Sequence, residues 1–219
     1  LHGRALPVAT GIRLANHEML VIAVAGDGDC YAEGGNHLMH AIRRNVGVKL
    51  FVHDNQIYGL TKGQPSPTTM EGTVAKNQPF GVFSEQLNPI ALAIALDCSF
   101  VARGFAGDPV HLKDLMKAAI LHKGFSLVDI LQPCVTFNKV NTYEWYKQRA
   151  YHLEPEYDPE DRIKAFGRAL EWGDRIPLGV IYKNHRPVLE ERIPVIKGSP
   201  LVRQLVDVSN VANTLKEFY

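Results

Sequence analysis

The chain has 219 residues, of which 46% are hydrophobic and 21% are charged, a content that suits a globular protein with a sizeable core. Lysine and arginine total 24 against 23 acidic residues, so no large field draws the protein to nucleic acid or to an anionic membrane. The apolar runs fall well short of the roughly 20 residues that cross a bilayer. Three widely spaced cysteines argue against a disulfide framework and for a reducing compartment. We therefore predict a cytoplasmic protein without nucleic-acid or membrane partners.

Alternating helices and strands are predicted for the first part of the chain. Residues 4–16 have helical spacing of small and apolar positions, and residues 19–25 form a continuous apolar run that predicts a fully buried strand. Residues 34–45 predict a helix with an apolar face and a basic end, and residues 48–53 predict a second buried strand. This order is typical of a parallel α/β unit.

A long segment, residues 55–83, is rich in Gly, Pro, Ser and Thr and has no helical or strand period. Loops of that length inside a compact domain are usually functional or disordered. Beyond it the alternation resumes, with helices and strands predicted at residues 88–96, 100–103, 109–122 and 126–131. The sequence therefore predicts an α/β fold with a mostly parallel sheet and helices on both faces.

The composition changes after Cys134, where aromatic and polar residues become frequent. This part has a predicted helix at residues 158–171 and a last strand at residues 178–182. We divide the chain into an α/β domain, residues 1–135, and a C-terminal extension, residues 136–219, packed on the domain or on a partner subunit.

Two loops at predicted strand ends carry residues suited to a metal-bound anion. Ligands of open parallel sheets lie beyond the carboxyl ends of the strands. Gly26 and Gly28 allow the backbone to approach an anion closely, and Asp27 offers a hard oxygen ligand for Mg²⁺. Asn55 offers an amide oxygen for the same ion, and the amides of the helix that begins near Gly34 would favour a diphosphate.

The Gly-Asp-Gly triplet, followed after 26 intervening residues by Asn55, resembles the thiamine-diphosphate signature, although Gly-Asp-Gly is also an ordinary turn. Further runs extend the likeness: GDGD at 26–29, GGNH at 34–37, RRN at 43–45, DNQIYGLTKGQ at 54–64, SPT at 66–68, QPC at 132–134 and FN at 137–138. This ordered series resembles the beta subunits of the 2-oxoacid:ferredoxin oxidoreductases, and the likeness runs from Leu1 to about Tyr182.

The resemblance implies a thiamine-diphosphate-binding fold and a set of site residues. Mg²⁺ would be held by Asp27, Asn55 and the main-chain carbonyl of Ile57. Lys62 and Leu60 would be catalytic, with Lys62 meeting the substrate's carboxylate, although a lone lysine in a polar loop is more often merely solvated. The residues expected to bind the cofactor are Gly26, Asp27, Gly28, Asp29, Asn55, Ile57, Gly59, Leu60 and Thr61.

Cys134 lies in a Pro-Cys-x-Thr-Phe-Asn context. In the family that the chain resembles, a cysteine in this context is one of four thiolates that bind a [4Fe–4S] cluster. The other three belong there to an N-terminal segment, and Cys30 and Cys98 do not match their positions, so we expect both to be structural. Because the chain begins at Leu1, without an initiator Met, directly in the dense run LHGRALPVA, we expect an N-terminal cluster-binding piece to be missing.

The activity implied by the resemblance is CoA-dependent oxidative decarboxylation of a 2-oxoacid, with 2-oxoglutarate favoured over pyruvate and electrons passed through the cluster to ferredoxin. The implied partners are an alpha subunit that completes the cofactor site, ferredoxin, the 2-oxoacid and coenzyme A. Two alternatives stay open. A non-oxidative thiamine-diphosphate-dependent decarboxylase subunit would need neither Cys134 nor Lys62, and a non-catalytic assembly subunit would keep only the fold.

Overall fold

The computed structural model describes residues 1–205 and 211–218. A six-stranded sheet runs through the molecule in the order β1-β2-β4-β3-β6-β5. Strands β1 to β4 are mutually parallel, whereas β6 runs antiparallel to β3 and parallel to β5. The strands are β1 (Val21–Gly26), β2 (Val48–Asp54), β3 (Phe100–Phe105), β4 (Ser126–Leu131), β5 (Ala150–His152) and β6 (Ile176–Lys183).

Helices connect and cover these strands. They are α1 (Ala5–Ala15), α2 (Gly35–Arg44), α3 (Pro89–Ala95), α4 (Pro109–Leu121), α5 (Tyr143–Lys147), α6 (Arg162–Ala169), α7 (Leu189–Arg192) and α8 (Val211–Lys216). A π-helical turn, Gly28–Glu33, precedes α2. Short 3₁₀ turns follow at Pro194–Ile196 and Leu201–Arg203.

The core lies on both sides of the sheet. Alternate side chains of β1, β2 and β4 pack under α1, α2, α3 and α6 on one face. The side chains of β2, β3 and β4 that point to the other face of the sheet pack under α4. The predicted α/β class, with a mostly parallel sheet and helices on both faces, is confirmed.

One strand is less buried than its sequence predicts. The apolar run at residues 19–25 predicts a strand buried on both faces, but Ile22 and Val24 of β1 are 42% and 57% exposed. The prediction is wrong because β1 lies at the edge of the sheet, and α4 packs on β2, β3 and β4 instead. A continuous apolar run does not reveal which strand is at the edge.

Helix ends follow local capping chemistry. Asn88 and Asp108 cap α3 and α4, and each of these helices begins with a proline. The helix predicted at residues 158–171 is shorter, because the Asp161 side chain accepts hydrogen bonds from the amides of Ile163 and Lys164 and so begins α6. Strand β5 has three residues, too few to show a period in the sequence.

The C-terminal part adds β5 and β6 to the same sheet as the N-terminal part. The division of the chain at residue 135 stays a prediction. The segment at residues 55–83 contains neither helix nor extended strand and folds over the carboxyl edge of the sheet. In the part of the chain that the structure describes, every helix is too short or too polar to cross a bilayer.

Candidate active site

The loops that follow β1 and β2 emerge side by side, because these two strands are parallel neighbours with Gly26 opposite His53. Between the loops lies a cavity of about 730 Å³, within the size range of small-molecule sites. It is lined by His2, Gly26, Asp27, Gly28, Asp29, Glu33, Asn55, Ile57, Tyr58, Gly59, Leu60, Thr61 and Gln64.

The structure gathers nearly all of the residues predicted for the site. All nine residues expected to bind a cofactor line this one cavity. Lys62 and Cys134 do not line it, although both belong to loops at the same edge of the sheet. The roles of these residues stay predictions.

Two glycines expose backbone to the cavity. A Cβ atom added at Gly26 or Gly59 would meet no atom within 4 Å, so the backbone of both residues, which line the cavity, is not crowded by neighbouring side chains. Gly28 is different, because its added Cβ would lie 2.2 Å from a ring carbon of Tyr58. The cavity wall therefore needs glycine at position 28 to accommodate Tyr58.

Asp27 is the buried carboxylate of the cavity wall, with 1% of its surface exposed. Its Oδ2 accepts hydrogen bonds from the hydroxyls of Ser66 and Thr68, each at 2.5 Å. Burial raises the pKa of Asp27, although these hydroxyls and nearby backbone amides oppose the rise. Because burial disfavours the charged form of Asp27, a divalent cation bound in the cavity would stabilise its carboxylate.

Asn55 begins a tight turn at the end of β2. Its Oδ1 accepts a hydrogen bond from the amide of Ile57 at 3.0 Å, and Gln56 between them has a left-handed backbone with φ of 58°. The hydroxyl of Thr69 donates to the carbonyl of Gln56 at 2.6 Å. This turn fixes the Asn55 side chain and the Ile57 main chain in the wall of the cavity that Asp27 also lines.

The next turn, residues 58–64, closes on itself. The amide of Tyr58 donates to the carbonyl of Gln64, and the amide of Gly63 donates to the carbonyl of Tyr58. Lys62 and Gly63 have left-handed backbones, with φ of 65° and 93°. Leu60 at the tip is fully exposed, an unusual position for a large apolar side chain.

Asp29 and Glu33 connect the cavity to the N-terminal residues. Oδ1 of Asp29 accepts from the amide of Gly3 at 2.6 Å and lies 3.1 Å from Nδ1 of His2. Glu33 lies 3.0 Å from the other ring nitrogen of His2 and accepts from the hydroxyl of Tyr58. The Asp29 carboxylate is therefore held by the first turn of the chain.

The loop that contains Cys134 packs against the Asn55 segment. Gln132 hydrogen-bonds to His53 through its side chain, and Asn138 donates from Nδ2 to the carbonyl of Asn55 at 3.2 Å. Cys134 is half-buried, whereas Cys30 and Cys98 are buried. Burial raises the pKa of both buried thiols, to about 12 for Cys98, which is unfavourable for metal-binding thiolates.

A buried charge cluster beneath the cavity has no counterpart in the sequence-based prediction. The hydroxyl of Thr68 donates to Asp27 and lies 2.9 Å from Asp54. Asp129 accepts from the hydroxyl of Tyr31 at 2.6 Å. Burial raises the pKa of Asp54 and raises that of Asp129 to about 6, although the nearby Arg103 opposes the rise for Asp129.

Arg103 is the cation of this cluster and has 1% of its surface exposed. Its guanidinium lies over the ring of Trp172 and borders a small cavity of about 160 Å³ with Asp54 and Asp129. The sequence signal that could have revealed this cluster is the presence of charged residues, Arg103 and Asp129, inside the buried strands β3 and β4. Ser66 and Thr68 belong to the SPT run of the family likeness, but nothing in that run indicates that their hydroxyls bind Asp27.

Comparisons with known proteins identify the family of this chain. Residues 1–130 match the family described as thiamine pyrophosphate enzyme, C-terminal TPP binding domain. Residues 134–198 match the family described as the C-terminal part of the pyruvate ferredoxin oxidoreductase beta subunit. The fold and the cavity thus define the cofactor-binding domain of a thiamine-diphosphate-dependent enzyme.

Individual relatives narrow this class. The chain is 50% identical to a 2-oxoacid:ferredoxin oxidoreductase subunit beta from a Sulfolobus species, over 98% of the chain and 76% of that relative. It is 46% identical to the 2-oxoglutarate oxidoreductase subunit KorB of Mycobacterium tuberculosis, over 63% of the chain and 37% of the relative. The chain belongs to the beta subunits of the 2-oxoacid:ferredoxin oxidoreductases.

A solved structure has the same fold. It is a 2-oxoglutarate:ferredoxin oxidoreductase from Magnetococcus marinus with 2-oxoglutarate, coenzyme A and succinyl-CoA bound. The TM-score is 0.89 at 35% sequence identity, and the likeness covers 98% of this chain and 74% of that one. The chain therefore spans about three quarters of the length of that structure and of the Sulfolobus relative.

Proposed function

We propose that this subunit holds Mg²⁺ and the diphosphate of thiamine diphosphate in the 730 Å³ cavity and takes part in the CoA-dependent oxidative decarboxylation of a 2-oxoacid. The favoured substrate is 2-oxoglutarate, with pyruvate second, and the electron acceptor is ferredoxin. The observation that carries the proposal is the convergence of nine expected residues on one cavity whose wall contains a buried carboxylate.

The donor atoms fit Mg²⁺. Mg²⁺ prefers hard oxygen ligands and is commonly shared between one or two protein groups and phosphate oxygens. Asp27 would supply a carboxylate oxygen, Asn55 its amide oxygen and Ile57 a main-chain carbonyl. A bound cation would offset the burial that raises the pKa of Asp27.

The surroundings also fit a diphosphate. The open backbone at Gly26 and Gly59 gives room for close approach, and the helical N-terminus at the cavity belongs to the π-helical turn Gly28–Glu33. The helix predicted to begin near Gly34 is α2, which starts at Gly35 directly after this turn. Amides of a helical first turn favour an anion.

When bound, the cofactor supplies an electron sink for loss of carbon dioxide from the 2-oxoacid. This chain's residues would bind and orient the reactants. The Asn55 turn holds the metal-binding oxygens, and Leu60 at the tip of the next turn would exclude water once a partner covers it. Lys62, two residues further, would pair with a carboxylate of the substrate.

The role of Lys62 has a direct test in substrate preference. 2-Oxoglutarate has a second carboxylate that pyruvate lacks, so Lys62→Ala should raise KM for 2-oxoglutarate roughly tenfold and KM for pyruvate by much less. Lys76→Ala, at another exposed lysine of the long loop, is the control and should change neither KM. Equal increases for both substrates would contradict the assignment.

A [4Fe–4S] cluster does not fit the thiols of this chain alone. Such a cluster needs four thiolates, and the sequence has three cysteines, of which two are buried with raised pKa values. Cys134 is the half-buried one. We keep Cys134 as one proposed ligand, with the other three supplied from outside these residues, and derive no electron-transfer step through the cluster.

The alpha subunit is the expected occupant of the exposed side of the cavity. Leu60 is fully exposed, and Phe80 and Phe83 in the same long segment are 87% and 79% exposed. Large apolar side chains exposed on one segment are typical of a subunit interface. We propose that the heteromer is cytoplasmic, in keeping with its free cysteines.

The test is anaerobic purification with the alpha subunit, followed by assays of thiamine diphosphate, iron and 2-oxoacid-dependent reduction of a viologen dye. We expect one thiamine diphosphate and roughly four irons per beta subunit, with CoA-dependent dye reduction. Asp27→Asn should weaken cofactor binding by roughly 100-fold, whereas Asp174→Asn at an exposed site should not. Bound cofactor without iron or dye reduction would favour a non-oxidative decarboxylase.

A further inference from the structure

Three metal-ligating side chains converge away from the cofactor cavity, beside the carboxyl end of β3. Asp108 caps α4, His111 lies in the first turn of that helix, and His152 is the last residue of β5. One ligand atom from each residue lies within 4.8 Å of the other two. The proposed cofactor chemistry uses none of these residues.

The local contacts leave this cluster incompletely satisfied. Oδ1 of Asp108 accepts from the amide of His111 at 3.2 Å, and Oδ2 lies 2.9 Å from Nε2 of His152. The two imidazole rings stack with centroids 4.2 Å apart. Nδ1 of His111 is buried and has no hydrogen-bond partner among the described residues. A buried ring nitrogen without a partner is unfavourable, and a bound metal ion would satisfy it.

We propose that Asp108, His111 and His152 form a Zn²⁺ site. Two imidazoles and one carboxylate suit Zn²⁺ and similar transition-metal ions, whereas Mg²⁺ and Ca²⁺ prefer oxygen ligands alone. Zinc bonds of about 2.0–2.2 Å in tetrahedral geometry place the ligand atoms of one ion about 3.3–3.6 Å apart. The ligand atoms lie within 4.8 Å of one another, so zinc binding requires side-chain movements of about 1 Å.

The position of the site between α4 and β5 indicates a structural role for the ion. Three protein ligands leave a fourth position open, and Asp108 and His152 border a groove of about 390 Å³ that Lys147 also lines. The ion joins α4, which follows β3, to β5 in the C-terminal part of the chain. Zinc binding is thus a stabilising tie between the two parts of the sequence, independent of thiamine diphosphate.

The experiment measures Zn²⁺ binding to the purified full chain by competition with a chromophoric chelator, together with the thermal unfolding midpoint. We expect one site per chain, resistant to millimolar Mg²⁺, and a midpoint that rises by roughly 5 °C at a hundredfold excess over Kd. His152→Gln and His111→Asn should each weaken binding by about 100-fold. His152 is more than half exposed, so its replacement leaves the fold intact.

Two controls separate this site from other ligands. His37→Gln on α2 removes a histidine outside the cluster, and Cys134→Ser removes the accessible thiol; neither should change the affinity. The proposal is overturned if the chain does not bind Zn²⁺ at about 100 µM, a concentration that fills any site of micromolar affinity. It is overturned equally if both histidine variants bind normally, or if Cys134→Ser abolishes binding.

Discussion

Replacement of Gly28 by alanine tests whether Tyr58 sets the shape of the cofactor cavity. The new Cβ would lie 2.2 Å from Cε1, 2.5 Å from Cζ and 2.8 Å from Cδ1 of Tyr58, where ordinary contact begins at 3.4 Å. The ring would have to move by more than 1 Å. Its hydroxyl, which donates to Glu33 at 3.1 Å, would lose that partner.

The cost follows from these contacts. Overpacking and the loss of one partly exposed hydrogen bond together predict a decrease of about 1–3 kcal/mol in the free energy of unfolding. Cofactor affinity should fall as well, because Tyr58 lines the cavity. In a Tyr58→Ala background the same Gly28→Ala change should cost less than about 0.5 kcal/mol, since the obstructing ring is gone.

The wild-type chain, the two single variants and the double variant form a double-mutant cycle. Their free energies of unfolding are measured by urea unfolding followed by circular dichroism. Gly11→Ala is the matched control, because its Cβ in α1 would meet no atom within 4 Å, and it should stabilise the chain by about 0.5–1 kcal/mol. If Gly28→Ala costs the same with and without the Tyr58 ring, steric conflict is not its cause and the reasoning is refuted.

Two further changes probe the buried groups. Thr68→Val removes the hydroxyl between Asp27 and Asp54 and should lower the free energy of unfolding by about 1–3 kcal/mol. Thr68→Ser keeps a hydroxyl and should lower it much less. Equal losses for the two variants in urea unfolding would exclude the hydroxyl as the cause. Burial and the nearby Lys49 lower the pKa of His122 to about 4, so below pH 6.5 the unfolded chain binds a proton that the folded chain does not, and stability falls as the pH falls towards 4. After discounting for partial exposure, the free energy of unfolding should fall by about 1 kcal/mol between pH 7 and pH 5 because of this histidine. His122→Gln should lose that part of the pH dependence. An unchanged dependence of unfolding free energy on pH would contradict the assignment.

Much of the cofactor cavity could be predicted because its geometry follows from strand order. Asp27 and Asn55 each follow a buried strand, and consecutive parallel strands bring such residues to the same edge. The β1–β2 register places the two loops side by side, as the sequence indicates. The family likeness then extended the set to Gly59, Leu60 and Thr61, which line the same cavity.

The rest depended on long-range packing that no local pattern contains. Ser66 and Thr68 reach Asp27 only because the loop at residues 55–83 folds back over the sheet edge. The meeting of Asp108 with His152 similarly depends on a short strand, β5, whose three residues have no recognisable period. Sequence patterns predict elements, whereas the contacts between remote loops are set by the completed fold.

The exposed apolar face of the edge strand β1 affects the solubility of the chain in the absence of its alpha subunit. Ile22 and Val24 present apolar side chains to solvent on a strand that pairs along one side only. An open strand edge beside an apolar surface is a template for association between like chains. We expect the subunit to remain in solution best when it is made together with its alpha subunit, and to self-associate when it is made alone.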